Sequence, residues 1–139
     1  MRLSQRTGAA PLCERVALDL RQQMVQAFEL ISAHEEALGE RLLSYLRTRP
    51  KVRVIGQDRA ERRRRVPTIA FVVDGLPSEA VPSYIDAHKI GIRYGDFYAR
   101  RLIEDLDLQA KGGVVRVSMV HYNSLEEVDR LIHYLDQVL

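Results

Sequence analysis

The fold of this chain is decided by the stretch Val115-Arg116-Val117-Ser118-Met119-Val120-His121-Tyr122-Asn123-Ser124, together with the upstream stretch Gly91-Ile92-Arg93-Tyr94-Gly95-Asp96-Phe97-Tyr98-Ala99. Apolar and β-branched residues dominate Val114 to His121, which predicts a strand. The pair Gly112-Gly113 breaks the chain before it. Residues 114, 116, 118 and 120 share one face of such a strand, so Arg116 is placed on a mostly apolar surface. A guanidinium held there requires a carboxylate or a phosphate, because burying it alone is costly.

Periodicity and chain breakers predict the other elements. Apolar residues between Ala17 and Tyr45 recur at three- and four-residue steps, which predicts a long helix that ends before Pro50 and bends or breaks at Gly39. Ser124 and Glu127 form a capping box for the last helix. The remaining strands are predicted at Val52 to Ile55, Val66 to Val73 and Ile92 to Tyr94, and the remaining helices from a Ser78 cap to about Lys89 and from about Asp96 to Leu106.

The order of these elements defines the fold class. It is helix, strand, strand, helix, strand, helix, strand, helix, which favours an α/β (α+β) two-layer sandwich with a small, mostly antiparallel sheet covered by helices on one face. Residues 1–11 lack periodicity and are predicted to be a flexible arm. Residues 12–139 are then one small domain.

Composition is that of an ordinary globular chain, with 139 residues, 46% hydrophobic residues and a net charge of +2. No apolar run is long enough to span a bilayer, and the N-terminus lacks the apolar core of a secretory signal. We therefore expect a cytoplasmic protein without membrane contact. The single cysteine, Cys13, excludes an intrachain disulfide and a multi-cysteine metal site, and is either an inert residue at a helix start or a reactive thiol.

One basic block interrupts this even charge balance. It runs from Arg62 to Arg65, in a charged connector between two predicted strands. Such a block is a solvated loop, a nucleic-acid or phosphate contact, or a set of salt-bridge partners. No aromatic platform accompanies it, which makes nucleic acid the less favoured partner.

The two opening stretches resemble the C-terminal (small) domain of class V aminotransferases, the cysteine desulfurase-like superfamily of fold type I pyridoxal-phosphate enzymes. The superfamily's R-x-S-x-x-x-Y-N-[ST] pattern is matched in register by Arg116, Ser118, Tyr122, Asn123 and Ser124. Its upstream R-x-G-x-x-C pattern is matched at Arg93 and Gly95, and places Tyr98 where desulfurases carry the catalytic cysteine. The resemblance covers roughly Ala27 to Leu139.

The resemblance implies a role for each matched residue. Arg116 would bind the α-carboxylate of an amino-acid substrate, and Arg93 would position the substrate or the loop above it. Gly95, Tyr98, His121 and Asn123 would belong to the active-site loops. From the residues alone, Arg116 is open to pairing with a structural carboxylate, and Arg93 is equally a surface arginine. Tyr98 is equally a packed loop aromatic, and His121 is a strand-end histidine, a proton carrier or a metal ligand. No metal site is expected.

The chain lacks other parts that such an enzyme needs. The lysines are Lys51, Lys89 and Lys111, and none has the Ser/Thr- or His-flanked context of the superfamily's cofactor lysine. Pyridoxal phosphate is therefore implied for the parent enzyme, with no binding expected to this chain alone. We expect a truncated or separated domain, inactive by itself, whose partners are an amino-acid substrate and a missing large domain or a homodimer. The alternatives are a stand-alone carboxylate-binding module and a phosphate or nucleic-acid binder that uses Arg62 to Arg65.

Overall fold

The computed structural model describes residues 19–139, so the predicted arm at residues 1–11 and Cys13 lie outside the described residues. This part of the chain contains four α-helices and four strands. In chain order they are α1 (Leu20–Arg47), β1 (Val52–Ile55), β2 (Thr68–Val73), α2 (Ala80–Asp86), β3 (Arg93–Gly95), α3 (Arg100–Asp105), a 3-10 turn (Gln109–Lys111), β4 (Val114–Ser118) and α4 (Leu125–Leu135).

The strands form one sheet in the order β1-β2-β4-β3, and each neighbouring pair is antiparallel. Strand β4 is central, with Ala70 of β2 opposite Arg116 on one side and Arg93 of β3 opposite it on the other. The predicted small antiparallel sheet in a two-layer arrangement is confirmed.

The main core lies between one face of the sheet and helices α1, α2 and α4. Its largest side chains are fully buried, because alternate residues of β2 and β4 point toward the apolar stripes of these helices. They include Phe71, Ile69 and Val115 from the sheet, and Leu38, Leu42, Leu46, Ile85 and Leu135 from the helices.

A smaller apolar cluster covers one end of the opposite face. Val72 and Val114 pack there against Ile103 of α3 and Leu108. Segment 96–108 therefore folds back over the sheet next to Arg116, which follows Val114 by two residues on the same face. This position makes the segment part of the candidate site.

Helix α1 is unbroken from Leu20 to Arg47. It continues through Gly39, where we predicted a bend or a break. Gly39 is buried, and a Cβ there would lie 3.4 Å from the Cβ of Ala60, so the glycine admits the connector between β1 and β2. Among residues 19–139, the helices lack the length or the apolar content needed to span a bilayer.

Several predicted boundaries were wrong. Ser78 does not cap α2, since its hydroxyl donates a 2.8 Å hydrogen bond to the carbonyl oxygen of Gly113. Helix α3 begins at Arg100 instead of near Asp96, because a turn with left-handed backbone precedes it. Strand β4 ends at Ser118 instead of His121. The predicted β1 bounds and the capping box of Ser124 and Glu127 are confirmed.

The basic connector is held against α1 by acidic side chains. Arg62 Nη1 lies 3.1 Å from Glu29 Oε2, and the Arg62 backbone N–H donates to Glu36 Oε1 at 3.2 Å. Arg65 Nη2 donates to the Thr68 carbonyl oxygen at 2.9 Å. Of the interpretations considered for this block, the geometry favours salt-bridge and backbone partners.

Candidate substrate-binding site

Arg116 occupies the middle of the central strand, on the face away from the main core. Its side chain is half-buried, and its guanidinium carbon lies 3.7 Å from the centroid of the Phe97 ring. Within residues 19–139 no carboxylate pairs with it and no hydrogen bond holds it. The structural ion pair considered as an alternative is therefore not formed within the described part of the chain. The N–H donors at the guanidinium edge remain available to an anion.

Phe97 reaches Arg116 because the backbone around it is left-handed. Phe97 has φ 49° and Tyr98 has φ 64°, the pattern of a type I′ turn. The Ala99 N–H donates to the Asp96 carbonyl oxygen at 2.9 Å, and the Tyr98 N–H donates to Asp96 Oδ1 at 3.0 Å. A left-handed backbone conformation costs about 1–3 kcal/mol for each non-glycine residue that adopts it. Surrounding contacts must therefore hold the turn in place.

Those contacts come from the glycine pair before β4. Gly112 and Gly113 both have positive φ, and the Gly113 backbone lies directly against that of Gly95. Ser78 fixes Gly113 in turn, through the hydroxyl bond to its carbonyl oxygen. The turn that carries Phe97 is thereby tied to the start of β4.

Arg93 lies directly opposite Arg116 in the β3–β4 register, which places both residues on one face of the sheet. The two cations do not share a partner. Arg93 Nη1 donates to the Ile92 carbonyl oxygen at 2.7 Å and lies 3.6 Å from Asp86 Oδ1, with its side chain largely exposed. Arg93 thus flanks Arg116 and brings a second positive charge to this edge of the sheet.

Tyr98 points into solvent. Its side chain is fully exposed, so it is not the packed aromatic of this loop, a place that Phe97 takes. The phenol is presented at the tip of the left-handed turn, next to the residue that contacts Arg116.

His121 and Asn123 lie beyond the other end of β4. His121 is exposed, with its ring edge-on to Tyr122 at 5.5 Å between centroids. Asn123 has three structural bonds: Oδ1 accepts from the Val120 N–H, Nδ2 donates to Glu127, and the carbonyl oxygen contacts His34 Nε2 at 2.8 Å. These bonds join β4, α4 and α1, so the structure gives Asn123 a place in the core-side packing instead of one beside Arg116.

The Asn123 amide also helps to stabilise the ionised form of the capping carboxylate of Glu127. Hydrogen bonds from the Ser124 backbone N–H and from the Asn123 amide hold the pKa of Glu127 below its usual value. Glu127 lies at the N-terminus of α4, where a negative charge is favourable.

Known proteins resemble this chain in sequence and in fold. The sequence matches aminotransferase class V over residues 5–131. The chain belongs to the class V aminotransferase family. An aminotransferase-like protein of Gibberella zeae is 41% identical over 115 residues, which are 82% of this chain and 29% of that protein. A cysteine desulfurase-like protein of Aspergillus flavus is 34% identical over 115 residues, covering 81% of this chain and 26% of that protein.

A solved structure agrees with these sequence relatives. The apo cysteine desulfurase from Thermococcus onnurineus superposes with a TM-score of 0.69 at 26% identity, over 84% of this chain and 28% of that one. The chain thus spans less than a third of the length of these class V relatives.

Class V aminotransferases and cysteine desulfurases use pyridoxal phosphate, and the described residues do not fit this cofactor by themselves. Lys51 and Lys89 are exposed. Lys111 Nζ donates to the Val73 carbonyl oxygen at 2.7 Å and lies 3.9 Å from Asp74. Lys89 lines an open surface cavity with Asn123 and Arg130, and its side chain is exposed to solvent. No step through the cofactor is assigned to residues 19–139.

The sequence did not indicate two residues on which the site depends. Phe97 was quoted only as part of the motif, although an aromatic residue two positions after the Gly95 loop start was the available signal. Gly113 was interpreted as a chain break, whereas its missing side chain is what admits Gly95. The contact between Gly95 and Gly113 joins residues 18 positions apart in the chain, which no local sequence pattern reveals.

Proposed function

We propose that this chain is the C-terminal, substrate-side domain of a class V aminotransferase or cysteine desulfurase-like enzyme that acts on an amino acid, and that Arg116 binds the substrate's α-carboxylate. The observation that carries the proposal is the guanidinium of Arg116, half-buried on the central strand and without an ionic partner among residues 19–139. A half-buried cation without an ionic partner is suited to bind a ligand that carries a negative charge.

The geometry of the guanidinium supports a carboxylate as that ligand. The Phe97 ring covers one face of the plane, and the edge donors are left to form two parallel hydrogen bonds to a planar, forked acceptor. A charge-assisted contact of this kind contributes about 1.5–3 kcal/mol. Arg93, on the same face, favours an anionic ligand further by its charge.

The rest of the enzyme must supply the cofactor chemistry. When bound, pyridoxal phosphate supplies an electron sink for the bonds at the substrate's Cα. We assign its lysine and phosphate site to a large domain outside residues 19–139, which agrees with relatives more than three times as long as this match. The cytoplasmic location and the homodimer expected from the sequence belong to the same proposal.

Tyr98 limits the class of reaction. A phenol at the position of the desulfurase cysteine cannot accept sulfur as a thiolate does. The exposed hydroxyl of Tyr98 is free to shape the pocket or to donate one hydrogen bond to the substrate. We therefore propose transamination, racemisation or elimination at an amino acid, without a persulfide on this chain.

The proposal is tested in a chimaera in which residues 19–139 replace the matching segment of the Gibberella zeae relative. Amino acids are screened by their effect on the cofactor absorption spectrum, and kcat/KM is then measured for Arg116→Ala and Arg116→Lys. Loss of the bidentate contact costs about 2–4 kcal/mol, or roughly 30- to 1,000-fold in kcat/KM, through weaker substrate binding. Lysine restores only part of it, because an ammonium cannot fork.

The matched control is Arg63→Ala, an exposed arginine of the connector. It should change kcat/KM by less than about threefold, as exposed charges contribute little. Arg62 is a poorer control because it holds α1 through Glu29. Equal losses at Arg116 and Arg63 would show that Arg116 has no special part in substrate binding.

The same observation on Arg116 supports a second candidate, a stand-alone module that binds free carboxylates without chemistry. It predicts that millimolar acetate or alanine raises the melting temperature of this chain, and that Arg116→Ala abolishes the effect. The enzyme-domain proposal predicts a complete site only when the large domain is present.

A further inference from the structure

We infer that Phe97 is a positioning residue for Arg116: its ring fixes the guanidinium plane so that the edge donors are ready for a carboxylate. The inference rests on the proposed function of Arg116. It starts from the 3.7 Å separation between the guanidinium carbon and the ring centroid, within the range of a cation–π contact.

The long side chain of Arg116 needs such a support. A free arginine side chain has about 2 kcal/mol of rotamer entropy, which binding must otherwise remove. No hydrogen bond or ion pair from residues 19–139 restrains the guanidinium, so the ring contact is the restraint that the described part of the chain provides. Stacking uses the face of the guanidinium and leaves its edge to the ligand.

The ring is itself held in place. Phe97 is half-buried and packs on the apolar cluster of Val72, Ile103, Leu108 and Val114. Its backbone is fixed in the left-handed turn by the two bonds to Asp96. Phe97 thus has an unfavourable backbone conformation and contacts a cation that has no ionic partner among residues 19–139. This combination fits a positioning role, since backbone strain concentrates at functional sites.

The test follows the Arg116 Nε–H resonance of this chain, labelled with ¹⁵N and assigned by its absence in Arg116→Lys. In the wild type and in Phe97→Tyr, the ring current should shift this resonance upfield. Two variants without a ring should lose the shift: Phe97→Leu, which keeps apolar volume, and Phe97→Asn, which suits left-handed backbone. Phe28→Leu, the same exchange on an exposed part of α1, should leave the resonance unchanged.

Sodium acetate, titrated at constant ionic strength with sodium chloride, is the carboxylate probe. The dissociation constant read at Arg116 should rise about two- to fivefold in both ring-less variants and stay unchanged in Phe97→Tyr. If acetate does not titrate Arg116 in the wild type, the stand-alone carboxylate module fails. The same variants are then compared by the KM of the substrate in the chimaera, where both ring-less variants should raise it by the same factor. If acetate titrates Arg116 and the ring-less variants bind with the wild-type constant, the proposed function stands and the positioning role of Phe97 is wrong. Equal weakening in Phe97→Tyr would also reject it, because that variant keeps the ring.

Discussion

Gly113 and Gly95 pack backbone against backbone at the start of the candidate loop. A Cβ built on Gly113 would lie 2.3 Å from the carbonyl oxygen of Gly95 and 3.0 Å from the Asp96 N. Both glycines have positive φ, 90° at Gly113 and 136° at Gly95. The absence of a side chain at Gly113 therefore sets how closely the turn carrying Phe97 approaches β4, and with it the distance between Phe97 and Arg116.

Gly113→Ala should destabilise the chain by about 3–5 kcal/mol, because it combines backbone strain with a clash that only a shift of Gly95 can relieve. Gly112→Ala is the matched control. It has the same kind of φ, 77°, but its Cβ would meet only Tyr94 Cε2, at 3.9 Å. It should cost about 1–2 kcal/mol. Urea denaturation midpoints measure both, and equal costs would show that the Gly95 contact is relaxed in solution.

This loop also shows where the sequence stopped being informative. The β1 strand and the α4 capping box were predicted from local signals, because their residues prefer the conformations that they adopt. Phe97 and Tyr98 at positive φ contradict their local preference, and contacts with a distant glycine impose that conformation. Ser78 likewise prefers a helix cap, but its hydroxyl is taken by Gly113, 35 residues away.

In the candidate site, too, some features could be predicted from the sequence and others could not. Strand alternation placed Arg116 on the same face as Val114, and the structure shows that this face lies opposite the buried Val115 and Val117. Its ring partner could not be predicted, since that contact depends on the left-handed turn. Asn123 followed from a motif, whereas its hydrogen bonds to Val120 and Glu127 emerged only from the fold.

Glu40 should make stability depend on pH in the acid range. Partial burial raises its pKa, but hydrogen bonds from the Ala60 N–H, from Arg47 and from Ser44 outweigh burial and hold the pKa below the ordinary 4.5. A carboxyl group whose pKa is lower in the folded state stabilises the fold above its unfolded pKa. That stability is lost as the pH falls through the folded pKa.

Glu40→Gln should therefore flatten the fall in unfolding free energy below about pH 5 and lower stability at pH 7. Glu35→Gln, on the same helix, is the control and should leave the acid limb in place. Thermal melts at a series of pH values between about 3 and 7 measure both variants. An acid limb that is equally steep in Glu40→Gln and in the wild type would show that the connector bond to Ala60 is not maintained.

Pyridoxal phosphate should not form a saturable, stoichiometric adduct with this chain. Lys51 and Lys89 are exposed and Lys111 is engaged with Val73, so reaction should be weak and spread over several lysines. Borohydride reduction followed by peptide mass spectrometry locates the modified residues. Modification confined to one lysine, and abolished by replacing it with arginine, would contradict the assignment of the cofactor site to a separate domain.

The N-terminal half of α1 should make this chain self-associate. Leu20, Met24 and Phe28 recur every four residues on one stripe, with 70%, 52% and 60% of their surfaces exposed. Toward the C-terminus the helix is buried in the core at Leu38 and Leu42. Full burial of each large apolar side chain contributes about 1.5–3 kcal/mol. We therefore expect this stripe to be buried against the proposed large domain in the parent enzyme, or against a second copy when this chain is alone.

Phe28→Glu should weaken that association at least about tenfold, because it removes this apolar contribution and places a charge in the interface. Leu102→Glu is the matched control, an exposed leucine on α3 away from the stripe, and should leave association unchanged. Sedimentation velocity over a range of concentrations measures all three proteins. A wild type that stays monomeric at the highest concentration, with a melting curve as cooperative as that of Phe28→Glu, would show that the α1 stripe needs no cover and is not an interface.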